Sequence, residues 1–408
     1  MSTDTGARHR DALQAEAIAF FPGCWRFRRC CWQGVAAVCA AAMVASCGVA
    51  GTNGGPPRSP AAAAGSLVHT VGSPPPSPVL GYQLNGVAAT SAASAWAVGT
   101  TNRINRHVIR WDGQDWRRDP IPGPGYLNGV AAISTADAWA VGAGQGNTAL
   151  IEHWDGTVWA PEATPSTGGP AVLHAVAAVS PSDAWAVGGT NFTGKTVILR
   201  WDGTAWRRVS SPTPPGISSQ LDGVAATSAT NAWAVGYTFT KTGQVPLIEH
   251  WNGTAWREVP GPALPAAAAL KGVAATSDAN AWAVGGSTGA LIEHWNGTAW
   301  TRVPAPALSM GSLEGVTALS ATSAWAVGTI VDKGDRLASL IERWNGSSWA
   351  RVPSPAAALL VSVTATSARD AWAVGFSSGG ATGIIEHWNG SSWACLSATG
   401  TAGPCPPV

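Results

Sequence analysis

The chain has 408 residues, enough for two or three domains or one large all-β unit. Only 12% of its residues are charged, the net charge is +1, and 46% are hydrophobic. That balance leaves no field to steer nucleic acid or acidic polymers, and it excludes an extended disordered chain.

In chain order, the first pattern is a targeting segment. Residues 26–47 read RFRRCCWQGVAAVCAAAMVASC. Arg26, Arg28 and Arg29 form a basic region, and Gly34 to Ala45 is an apolar run. The run suits a signal peptide and is short for a membrane span. Val44-Ala45-Ser46-Cys47 resembles the bacterial lipobox. The resemblance implies that Cys47 is lipidated and becomes the mature N-terminus; the plainer alternative is an ordinary signal peptide cleaved nearby. The expected organisation is an N-terminal extension and signal at 1–47, a Gly/Pro-rich tether at 48–83, a repeat region at 84–400 and a tail at 401–408. Of the seven cysteines, Cys395 and Cys405 belong to the exported chain. An oxidising compartment makes a disulfide between them the expectation, with two free thiols as the alternative.

The remainder repeats. AWAVG recurs with its Trp at Trp96, Trp139, Trp185, Trp233, Trp282, Trp325 and Trp372, in steps of 43 to 49 residues. Between copies lies W-[D/N]-G-x-x-W, as at Trp251/Trp256 and Trp295/Trp300, where ten residues (LIEHWNGTAW) recur unchanged. The repeat accounts for 21 of the 23 tryptophans without any cofactor. Each unit parses into four strands. Strand A is Leu-x-Gly-Val-x-Ala-x-Ser, as in 221–228; strand B is AWAVG; strand C is the LIEHW type; strand D is the TAWREV type, ended by Pro. A Ser, Asp or Asn two residues before each AWAVG Trp is expected to hold the A–B turn. Asp-Gly or Asn-Gly between C and D predicts a hairpin in which both residues take positive φ. Seven four-stranded units of this length predict an all-β fold, a seven-bladed β-propeller. The small residues of strand A suit the crowded axis, and the large Trp residues suit the diverging outer blade.

A Gly ending strand B, an aromatic closing strand C and a Trp on strand D resemble the kelch repeat, over roughly 84–399. Val187-Gly188-Gly189 with Trp201 and Trp206, and Val284-Gly285-Gly286 with Trp295 and Trp300, match it best. Five repeats carry a single Gly, and Trp stands where that family has Tyr. The Trp-Asp pairs at Trp111 and Trp201 are similar to WD40 blades, but the Gly-His partner of that motif is missing.

Glu-His occurs at Glu152-His153, Glu249-His250, Glu293-His294 and Glu386-His387, with Arg in the His place at Arg110, Arg200 and Arg343. Adjacent strand residues face opposite ways, and a catalytic pair is not repeated around a ring. The expectation is packing: His and Arg on Trp, Glu toward a neighbouring blade. No motif for a metal, a nucleophile or a nucleotide is present, so no catalytic residue, metal ligand or cofactor is assigned.

The B–C and D–A loops vary in length among copies, whereas the A–B and C–D turns do not. That places an adaptable surface on the B–C/D–A rim. Candidate contacts there are Arg103, Arg106, Phe192, Lys195, Tyr237, Phe239, Lys241, Asp332, Lys333, Asp335 and Arg336. The expected function is a non-catalytic binding module at the cell surface, for a protein or carbohydrate ligand on that rim. The chain is expected to be monomeric, to bind no nucleic acid and to touch the membrane only through its anchor. The alternatives are a glycan-active hydrolase or lyase on the same scaffold and a purely structural envelope protein.

Overall fold

A computed structural model describes residues 81–191, 193–212, 216–264, 267–306, 310–331, 336–380, 382–396 and 405. The signal segment, Cys47 and the tether lie outside them. Among the described residues the secondary structure is β, in seven four-stranded antiparallel sheets with the strands in sequence order. Blade 1 consists of Tyr82–Ser91, Ser94–Thr101, Asn105–Trp111 and Trp116–Arg118. The other blades span 126–161, 171–209, 218–258, 269–302, 311–351 and 358–395. Each inner strand A packs beside the strand A of the next blade, and that of blade 7 packs beside that of blade 1. The molecule is therefore a closed seven-bladed β-propeller whose blades coincide with the sequence repeats.

Tryptophan builds every interface between blades. The strand-B Trp is fully buried and packs against the strand-C and strand-D tryptophans of the following blade. Trp233 lies 4.9 Å from Trp295 and 5.1 Å, edge-on, from Trp300. Across the closing seam, Trp372 lies 5.3 Å from both Trp111 and Trp116. Edge-to-face packing of rings this large adds to the burial that holds the blades. The seam is also tied by polar contacts. Val87 N donates to Ser362 Oγ (3.2 Å), and Gln83 Nε2 donates to the Gly380 carbonyl (2.8 Å). Cys395, on the last strand, is disulfide-bonded to Cys405, with Cα atoms 5.2 Å apart.

Both turns differ from the sequence expectation. The A–B turn is held by the last Ser of strand A, whose Oγ accepts the N–H two residues on at 3.1–3.3 Å in all seven blades. The Asp or Asn expected there begins strand B and accepts no backbone N–H of the turn, although in three blades it spans the turn to a Thr hydroxyl: Asn231 donates to Thr227 and Asn280 to Thr276 (2.6 Å each), and Thr366 donates to Asp370. Its side chain bonds the strand-C residue across the sheet: Asp137 to His153 (2.9 Å), Asn231 to His250 (2.7 Å) and Asp183 to Arg200 (2.9 Å). The C–D turn is a four-residue loop, not a two-residue hairpin. The Asp or Asn carboxyl or amide oxygen accepts the next two free N–H groups, as Asp112 does from Gln114 (3.0 Å) and Asp115 (2.9 Å). This side-chain turn leaves only the Gly at positive φ, for example 95° at Gly113. His and Arg do pack on Trp: His250 lies 4.2 Å from Trp233, and the Arg343 guanidinium 5.0 Å from Trp325.

Candidate functional site

The conspicuous Glu of strand C is buried in five blades and faces the preceding blade. Glu249 accepts from Ser211 Oγ (2.9 Å) and Glu386 from Ser354 Oγ (2.8 Å), while Glu152 pairs with Arg106. Burial pushes Glu152, Glu293, Glu342 and Glu386 up to about 7 and Glu249 to about 8. None of these carboxyls reaches the surface. They belong to the blade interfaces and cannot meet a ligand.

The axis is different. Strand A carries a β-bulge at the same place in every blade, between the Leu and the small residue of Leu-x-Gly. The bulged residues are Asn85, Asn128, His174, Asp222, Lys271, Glu314 and Val361. A bulge re-aims its extra side chain, and such positions cluster at sites. Each of the seven is half-buried. Side chains on the innermost strands of a closed ring meet solvent along the axis, so these form a collar there. The collar lies a few residues inside the start of strand A, at the B–C/D–A end of the axis. It is the position written x in the repeat, and it takes six residue types in seven blades between a constant Leu and a small residue (Gly, Ala175 or Ser362).

The collar is wired around the ring. Asn85 Nδ2 donates to the Leu127 carbonyl (2.8 Å) and Asn128 Nδ2 to the Leu173 carbonyl (2.9 Å), each in the next blade. Lys271 Nζ donates to Asp222 Oδ2 at 2.9 Å and sits 5.1 Å from the centre of the Tyr237 ring. Gln220 Nε2 donates to the other Asp222 oxygen (2.5 Å), and Ser312 Oγ to Glu314 Oε1 (2.8 Å). Burial lowers the Lys271 ammonium, but Asp222, with Glu314 and Tyr237 adding to it, outweighs that and the net shift is upward. Burial raises Glu314, against the pull of Ser312 and Lys271. Burial lowers His174, so its ring is held neutral, and it makes no hydrogen bond among the described residues.

Above the collar, blade 4 stands higher than its neighbours. Its strands Ser218–Ser228, Asn231–Thr240 and Gly243–Trp251 stay paired past the rim. Six large hydrophobic side chains are exposed among the described residues, and five lie on this rim: Ile104, Ile217 (71% exposed), Phe239 (44%), Val245 and Met310. Val158, in a C–D turn, is the sixth.

The candidates chosen from loop variation distribute unevenly. Tyr237 is buried below Phe239, the rings 5.3 Å apart and edge-on, and it shapes the collar through Lys271. Phe239, Lys195, Lys241, Arg103 and Arg336 are exposed on the rim. Arg106 is engaged by Glu152 and by the Pro124 carbonyl (3.3 Å), so it fastens blade 1 to blade 2. Phe192, Asp332, Lys333 and Asp335 lie outside the described residues. None of the seven collar residues is among those candidates. The sequence signal for them is one variable position between a constant Leu and a small residue. Among the described residues no group of His, Cys, Asp and Glu could hold a metal ion.

No protein-family model matches the chain, and no curated protein matches it. Solved structures do. The chain is similar to YCF48 from Cyanidioschyzon merolae, with a TM-score of 0.52 and 15% identity over 78% of this chain and 97% of that one. It is similar to YCF48 bound to D1 peptide, with a TM-score of 0.51 and 16% identity over 76% and 92%. A GH74 xyloglucanase from Xanthomonas campestris gives a TM-score of 0.52 at 14% identity, over 78% of this chain and 53% of the enzyme. At these identities the likeness is one of fold.

Proposed function

We propose that this propeller is an exported, non-catalytic binding module that takes its ligand on the B–C/D–A rim, over the axial collar. The observation that carries the reading is the coincidence of two things on one face. The variable bulge position of strand A lies there, and so do five of the six large hydrophobic side chains exposed among the described residues. A scaffold position varies freely when it serves no packing role, and exposed apolar residues gathered on one face mark an interaction surface. One similar fold is recorded with a bound peptide, which accords with a polypeptide ligand. We propose also that the chain is lipid-anchored at Cys47 on the outer face of the membrane, consistent with the apolar run that ends there.

The test is capture of envelope components by the purified full chain, compared with an Ile217→Asp/Phe239→Asp variant. A ligand retained by the former and lost by the latter is expected. Turnover of an envelope polysaccharide, abolished by a single collar substitution, would overturn the binding-only reading in favour of a glycan-active enzyme. The anchor is tested separately: Cys47→Ala should move the protein out of the membrane fraction.

A further inference from the structure

The collar's unsatisfied hydrogen-bonding capacity is one-sided. A backbone carbonyl only accepts, so the contacts of Asn85 and Asn128 to Leu127 and Leu173 fix their amide nitrogens as donors there. Their Oδ1 atoms are left without a partner among the described residues. Glu314 Oε2 is likewise free, since its Ser312 contact uses Oε1. The neutral His174 ring offers one more acceptor. Against these stands one cation, Lys271, already held by Asp222 and the Tyr237 face. Lys271 and Asp222 offset each other, and the collar is left with one carboxyl, Glu314, that has no cation at hydrogen-bond distance among the described residues. It therefore seeks a compact, positively charged donor of several hydrogen bonds. Lys271 shows on what terms the site accepts one: a carboxylate at hydrogen-bond distance and an aromatic face beside it.

We propose that the axial collar is a receptor for a protonated primary amine carried by a partner polypeptide, with Glu314 and the Asn85 and Asn128 side-chain oxygens as its acceptors. This rests on the binding-module reading above and names the chemistry of its ligand. A polypeptide is favoured over an amino sugar by the rim. Ile104, Ile217, Val245 and Met310 are aliphatic or thioether side chains, which bury against other protein side chains. A sugar needs flat aromatic faces, and Phe239 is the sole large aromatic exposed there among the described residues. Lys271 is the ligand's resident competitor, because it neutralises Asp222 and repels a second ammonium.

The experiment is a calorimetric and NMR titration of the unmodified full chain with a capped glycyl-lysyl-glycine peptide. The same peptide acetylated on its lysine and a glucosamine oligomer serve as controls. The lysine peptide should bind and shift the His174 ring resonances, and its acetylated form should not. Glu314→Gln should weaken binding about tenfold, by removal of one charge-assisted contact. Lys271→Met should tighten it, because Asp222 is released and a like charge is gone. Equal binding of the acetylated peptide, binding of the amino sugar alone, or no binding of any probe overturns the proposal. So does loss of binding in Lys271→Met, which would mark the lysine as the anchor of an anionic ligand. The peptide comparison needs no variant, so a misfolded substitution cannot hide the result. If envelope capture depends on Ile217 and Phe239 while the lysine peptide fails to bind, the collar assignment falls and the binding module stands.

Discussion

Glu293 and Glu342 are buried carboxyls with no hydrogen-bond donor among the described residues, whereas Glu249 and Glu386 each have a serine. The difference lies in the connection that leaves the preceding blade. Ser211 and Ser354 stand two residues after the Val that ends strand D; at the same step the other two connections have Gly261 and Ala305. A side chain at 261 meets only ordinary contacts, the nearest being Ile248 Cδ1 (3.4 Å) and Glu293 Oε2 (3.5 Å). Gly261→Ser and Ala305→Ser should therefore supply the missing donor and stabilise the fold by about 1 kcal/mol each, read by urea denaturation. Ser211→Ala should cost a similar amount. These carboxyls also make stability depend on pH. Burial raises their folded-state values from 4.5 to about 7, so the folded form holds the proton more tightly than the unfolded chain. The resulting stability is complete below about 4.5 and is lost as the pH rises through about 7. Denaturation midpoints should fall across that window, and Glu293→Gln with Glu342→Gln should flatten the fall.

At the scale of the element, the bulge explains the Gly of AWAVG. Strand A turns its backbone onto strand B where the extra residue is inserted. A Cβ at Gly236 would lie 2.0 Å from the Gln220 carbonyl oxygen, and every blade shows the same approach. The Gly is thus the counterpart of a collar residue one strand away. Gly236→Ala should force the bulge out, at a cost on the order of 3 kcal/mol. It should also disturb Asp222 and the Lys271–Tyr237 contact, visible as a changed Tyr237 environment by NMR. The element scale is also where sequence reading succeeded and failed. The strands and their count were legible because Trp recurs at fixed places. Turn chemistry is harder to read because Ser, Asp and Asn can all cap a turn, and only the fold shows that the Ser accepts the turn N–H while Asp137 and Asn231 reach across to His153 and His250. The collar is hidden in the sequence because length variation in loops is visible at once, while a variable residue within a strand looks like tolerance. Asn85 or Lys271 gains meaning only when seven strands are placed around one axis.

For the whole molecule, closure is by packing and polar contacts between blades, with no strand exchanged across the seam. Each blade takes its four strands from one repeat, and the seam between blades 7 and 1 is built as the other six interfaces are. Trp372→Ala at the seam and Trp233→Ala within the ring should therefore cost the same, about 3–5 kcal/mol each, in matched thermal unfolding experiments. A markedly smaller cost at Trp372 would show that the seam breathes independently. Units that lean only on their neighbours cannot be removed singly, so deletion of one repeat should leave an open ring with exposed tryptophan faces and an aggregating protein.

The bulge has one more consequence. Because the same Gly, the same Leu and the same tryptophans hold each blade, the residue at the bulge can be exchanged without changing the tryptophan packing that closes the ring. Each repeat therefore writes a single letter onto the axis, and seven letters in fixed order spell Asn, Asn, His, Asp, Lys, Glu, Val. Rewriting them one at a time amounts to editing an address on an unchanged envelope.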